Sequence, residues 1–317
     1  MFGSTVYGLV RPTGRAIDPG HPPSGASLPT ACMTRNVRFE STARFRPAPV
    51  RIDVGRVAAV GVSAAAPKAG TRGRMSLSGK EGVMTDVHEW FEGVKRELVA
   101  RCPYRESEYF KRFNAGGLTK AQAWGHVGQN YLIVVYFPRI FSGIHARCDE
   151  LDVRKECAKH LLVEDLGYFR GKIGATPDHV ELYRWIGDDM GYGRDVYARI
   201  TPLPETTALI EFCCELSHRI PWNAALCTTA LFEAEVIELS QMVGHGLVKH
   251  YGCRPEHGGM NYTVHYEAER EESDDTEKAI LQYIRTDDDR RVAEASMRRL
   301  HERLEAYAQG LKREYLG

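Results

Sequence analysis

Between Thr85 and Leu316 apolar residues recur at the helical period, and nowhere with the two-residue alternation of a strand. Helix punctuation falls where that period starts and stops. Thr119 and Asp178 stand as N-caps, Pro221 opens a long helix, and Ala115-Gly116-Gly117 and Gly252 close others. The expected helices run over Val87–Arg101, Glu106–Asn114, Lys120–Arg147 with a kink at Pro138, Asp149–Leu166, the stretch after Asp178, Thr206–His218, Pro221–Tyr251, the stretch around Tyr262–Glu272, and Asp288–Leu316. In the fourth, Leu151, Cys157, Ala158, Leu161, Leu162 and Val163 read as core. The fold class is therefore all-α. The longest apolar run of this part, Tyr131–Phe137, is far too short to span a bilayer.

Residues 1–83 differ in texture. Gly, Pro, Ala, Ser and Arg abound and no period persists, so disorder is expected there and a folded domain over 84–317. This segment carries 12 Lys/Arg against 4 Asp/Glu, an excess of +8 that the rest of a net-neutral chain balances. Three readings fit it: a basic targeting segment, a flexible tail, or a start placed too far upstream, with Met75 or Met84 as the true beginning, which is the preferred one. Zero net charge gives no case for nucleic acid or an anionic membrane as partner. The eight cysteines form no CxxC and are scattered through helical segments, as expected of reduced thiols in a cytoplasmic protein.

Chemistry concentrates in a few carboxylates and imidazoles. His265, Glu269 and Glu272 fall at i, i+4 and i+7, on one helix face, within an acidic run that also reads as a solvated surface. Glu233 sits among Ala230, Leu231, Phe232, Val236 and Ile237; a carboxylate facing such a core needs a cation or a strong hydrogen-bond partner. Glu164 ends an apolar helix and reads equally as a solvated helix end. His179 opens a helix, where a lone histidine is more often a surface or capping group. An imidazole and carboxylate set without thiolate suits iron or manganese better than structural zinc. Helical bundles build di-iron sites from such groups.

These residues carry a resemblance. Trp124, Gln129-Asn130-Tyr131 and Phe137-Pro138-Arg139 look like the second long helix of the heme-oxygenase-like fold, as in the TenA thiaminases and pyrroloquinoline-quinone synthase. Glu164-Asp165-Leu166-Gly167, His179-Val180-Glu181-Leu182, Phe232-Glu233-Ala234-Glu235, His250-Tyr251-Gly252 and Tyr262-x-x-His265 resemble its branch of di-iron oxidases and oxygenases. The likeness spans about residues 86–315 and implies a heme-oxygenase-like bundle of about seven to eight helices. That family's ligand order is Glu, His, Glu, then His-x3-Asp-x2-His. It implies Glu164, His179, Glu233 and His265 as ligands, with Glu269 at the Asp position. Two departures stand out: Glu272 occupies the final His position, and the loop between Glu164 and His179 is longer than usual.

The resemblance further implies a cytoplasmic homodimer that uses Fe(II), two ions, and O2 to oxidise a small metabolite, amino-acid-derived or fatty-acid, by N-oxygenation, C–C cleavage or desaturation. An external electron donor is compatible with it. Tyr131, His218 and Lys249 are candidate pocket residues, with structural roles (core, helix-end cap, surface) as the preferred alternatives. Two other classes remain open. One is a metal-free enzyme of the same fold, quinone-synthase-like or thiaminase-like, the latter with Cys213 or Cys214 as nucleophile. The other is a non-catalytic interaction protein.

Overall fold

Helix punctuation sets the architecture. The computed structural model describes residues 78–265, 277 and 280–317, with side chains from Asp86 onward, all within the unit Thr71–Gly317. The chain runs α1 (Ser78–Val99), α2 (Pro103–Glu106), α3 (Glu108–Ala115), α4 (Lys120–Tyr136), α5 (Pro138–Arg147), α6 (Leu151–Leu166), α7 (His179–Met190), a 3-10 turn (Arg194–Arg199), α8 (Pro204–His218), α9 (Trp222–His250), a helical stretch over 260–265, and α10 (Asp287–Leu316). Among the described residues there is no strand, only an isolated bridge between Phe169 and Lys172.

Most boundaries follow local chemistry. Thr119 closes a reciprocal capping box with Gln122, and Thr286 does the same with Asp289. Pro138 has no N–H to continue the ladder, so the long helix divides into α4 and α5 at Phe137. Gly252, at φ +84°, follows the end of α9 as expected. Helix α1 begins at Ser78, upstream of the boundary expected at residue 84; residues 1–77 lie outside the described residues. One expectation needs correction. Leu151 and Ala158 face outward, because α6 has almost no apolar stripe and buries only Val153 and Cys157 fully.

Helices α9 and α10 pack lengthwise, with α8 against α10, α3 against α9, α4 against α7 and α8, and α5 against α6 and α8. The core between them is aromatic at one end, with Phe91, Tyr104, Tyr109, Phe110, Phe113 and Tyr307 almost wholly buried. Elsewhere the helices part around a cavity.

Candidate metal centre

Helix faces decide what enters this cavity, whose volume is about 400 Å³. From α4 come Asn130, Ile133, Val134 and Phe137, at i, i+3, i+4 and i+7. Helix α9 offers Ala230, Glu233, Ile237 and Ser240, again one stripe. Helix α6 adds His160, Val163 and Glu164, α7 adds His179 and Tyr183, and the 260–265 stretch adds Asn261, Tyr262 and His265. Polar groups thus project from five separate helical segments into a lining that is otherwise largely apolar.

The Glu164–His179 pair is held by two local devices. Gly167 ends α6 at φ +60°, and a Cβ there would lie 2.0 Å from the Thr176 carbonyl oxygen. Only glycine lets the loop return so closely on the last turn of α6. The Asp178 side chain then accepts the Glu181 backbone N–H at 2.8 Å and starts α7 with His179 as its first residue. His179 Nδ1 comes to 2.6 Å from Glu164 Oε2. This contact is off the ring N–H axis, so neither nitrogen of the buried His179 ring makes a properly directed hydrogen bond. Buried imidazole nitrogens rarely stay so. An imidazole and a carboxylate drawn together without aligning on each other are disposed as ligands of a common cation.

His265 is oriented differently. Its Nδ1 donates to the Asn261 carbonyl oxygen at 2.7 Å, which leaves Nε2 with the free lone pair. Its ring centre lies 4.5 Å from that of His179. Glu233 approaches from α9, with Oε1 3.5 Å from Nδ1 of His160.

Titration follows these contacts. Burial acts against ionisation of Glu164, but His179, His265 and His160 together outweigh it and hold the carboxyl below its ordinary range. Burial acts to lower His179, and the acids Glu164, Asp178 and Asp165 overcome it and raise the imidazole. Burial, then repulsion by His179, pushes His265 down to about 4, and burial likewise lowers His160. The last two rings are therefore neutral donors at neutral pH.

Lys95 of α1 reaches the same cavity, ion-paired with Glu277 and, at 2.6 Å, with Glu92. His88, Glu92 and Glu277 also offer ligand atoms within 4.8 Å of one another. There the Lys95 ammonium already pairs with both carboxylates and offsets one of their two charges. The Glu164–His179 end carries no such cation, and its nitrogen and oxygen donors suit iron.

Residues 125–307 match the sequence model of a family of iron-containing redox enzymes, more than half of the chain. The chain belongs to that family. It is accordingly an iron-dependent oxidoreductase, and Glu164, His179, Glu233 and His265 all fall inside the matched span. Among curated relatives, the 4-aminobenzoate synthase of Chlamydia muridarum is 25% identical over 191 residues, 60% of this chain and 77% of that protein. The 4-aminobenzoate synthase of Chlamydia pneumoniae is 26% identical over 198 residues, 62% of this chain and 82% of that one. Among solved structures, a domain of unknown function with a heme oxygenase-like fold from Shewanella denitrificans superposes with a TM-score of 0.54. That match has 15% identity and covers 77% of this chain and 95% of that one, so it speaks to fold alone. The all-α, heme-oxygenase-like expectation holds.

Of the residues singled out from sequence, the iron-enzyme fold brings Glu164, His179, Glu233 and His265 to one cavity. Glu269 and Glu272 lie outside the described residues. The three weaker candidates are not among the lining residues. Tyr131 packs on Tyr197, with ring centres 4.3 Å apart. His218 is exposed at the end of α8 beside Ser217, and Lys249 is exposed in the last turn of α9. Cys213 is buried elsewhere, its thiol pushed up to about 12 by burial, and Cys214 is exposed; neither lines the cavity, which removes the geometry a thiaminase-like nucleophile needs.

Sequence reading missed His160 and Lys95. His160 follows the charged run Arg154-Lys155-Glu156 by one turn, with Lys159 beside it, and only its i, i+4 relation to Glu164 marked it.

Proposed function

We propose that this cavity is a two-iron centre at which O2 is reduced while a small metabolite is oxidised. The observation that carries the reading is the buried Glu164–His179 pair, 2.6 Å apart with both ring nitrogens lacking a directed hydrogen bond, in a chain of an iron-containing redox family. Glu164, His179 and Glu233 would hold one ion, and His265, through Nε2, would hold the other together with Glu269 and Glu272. Bound as Fe(II), the pair supplies the electrons that O2 takes up.

The protein's own groups do the rest. Asn261 fixes the His265 tautomer, so no proton must leave that ring before it can coordinate. The apolar wall of Ile133, Val134, Phe137, Phe232 and Ile237 keeps water away from the reacting centre. Tyr183, hydrogen-bonded to Asn130 and 3.4 Å from the Tyr262 hydroxyl, gives that wall a hydroxyl chain able to pass a proton.

A cavity of about 400 Å³ admits a small metabolite only. Relatives named 4-aminobenzoate synthase favour an amine or amino-acid-derived substrate, and we adopt that class. We further propose a cytoplasmic homodimer that draws on an external electron donor, with the catalytic domain beginning near residue 78. Among the described residues no helix is long and apolar enough to cross a membrane.

Anaerobic Fe(II) titration with metal analysis tests the centre. Near-stoichiometric uptake of two ions, lost in His179→Ala with helicity unchanged, is expected. Catalytic turnover by rigorously iron-free protein would overturn it.

A further inference from the structure

The described fold places in the same cavity an imidazole to which the two-iron reading gives no role. His160 lies one turn before Glu164 on α6, so both side chains project from one face of that helix. Its ring is stacked flat on Phe141 of α5, with centres 4.2 Å apart and planes within 4°. That stack fixes the ring plane. Nδ1 then points towards Glu233, 3.5 Å from Oε1. At this separation a direct hydrogen bond is weak, whereas two donors bound near 2.1 Å from one ion commonly sit about 3 Å apart. The ring is mostly shielded, with 16% of its side chain exposed.

We propose that His160 is an iron ligand, adding a second imidazole to the ion that Glu164, His179 and Glu233 would hold. The inference rests on the two-iron reading above and deepens it. That ion would then draw on His160 and Glu164 of α6, His179 of α7 and Glu233 of α9, and so tie three helices together.

Equilibrium dialysis against Fe(II) under argon, with metal analysis and apo-protein melting curves, separates the possibilities without recourse to activity. His160→Phe keeps the aromatic stack on Phe141 but cannot ligate; His160→Glu can ligate but cannot donate a hydrogen bond to Glu233. Expected for His160→Phe is loss of one of two bound ions, or at least a hundredfold weaker second equivalent, with the apo melting curve close to wild type. Expected for His160→Glu is two bound ions. Wild-type uptake by His160→Phe overturns the assignment. So does loss of the second ion in both variants, which would make His160 a hydrogen-bond donor to Glu233. If His160→Phe misfolds, His160→Glu and His160→Gln decide it, the first retaining two ions and the second one. Wild type taking up no iron would remove the two-iron reading itself, whereas wild type with two ions and His160→Phe with two would remove only the role of His160.

Discussion

Gly167→Ala should damage both stability and metal uptake, by an amount the backbone geometry sets. A non-glycine residue at the left-handed φ of +60° costs about 1–2 kcal/mol. The new methyl also meets the Thr176 carbonyl oxygen at 2.0 Å, and a backbone atom cannot move aside alone. Relief requires the 167–177 loop to shift, which breaks the Thr176 N–H and Oγ1 contacts to the Gly167 carbonyl, at 3.3 and 3.4 Å. Each is worth roughly 1 kcal/mol. The sum is about 3 kcal/mol, or roughly 6–12 °C in melting temperature for a domain of this size. Gly171→Ala is the matched control. Its φ is +80° with nothing within 4 Å of the added Cβ, so it should show only the backbone cost, about 1–2 kcal/mol. Melting should be followed by circular dichroism on metal-stripped protein, since bound iron would mask the difference. Iron uptake is measured separately, and it should weaken in Gly167→Ala because the shifted loop parts Glu164 from His179. Equal stabilities for the two variants, or unimpaired iron uptake by Gly167→Ala, would refute the account of how that loop builds the site.

Other outcomes follow from neighbouring contacts. Asp178→Ala removes the cap of α7 and should cost about 1 kcal/mol, with His179, the first helical residue, less well held; urea denaturation and iron affinity report the two effects. His301→Ala strips the wholly buried Glu235 of the imidazole 2.7 Å away and should cost about 3 kcal/mol, less at acid pH, where the carboxyl is protonated; urea melts at two pH values check this. Burial raises the Glu235 pKa, the His301 contact notwithstanding, so in the transition region the folded chain holds a proton the unfolded chain has lost. Its contribution is full below the ordinary Glu range near 4.5 and declines as pH rises through the raised value; Glu235→Gln should flatten that decline, and an unchanged profile would count against it. A chain starting at Ser78 should keep its helicity and iron uptake, measured by circular dichroism and metal analysis; failure to fold would show that earlier residues belong to the domain.

The sequence alone determined the helices and where they stop. Caps such as Thr119 and Asp178, the proline at 138 and the glycine at 252 act through neighbours within one turn, so their effect is written locally. It also supplied the short motifs that carry the family likeness, and with them Glu164, His179, Glu233 and His265. Tertiary structure decided which donors meet. Glu233 and Glu235 lie only two residues apart, yet the roughly 200° between them on the helix sends one to the cavity and the other to His301 of α10. Helix α6 has no apolar stripe to say which face turns inward, so His160 is indistinguishable from its charged neighbours until Phe141 of α5 packs against it. A side chain's direction in a bundle depends on partners far away in the chain, and local pattern does not encode them.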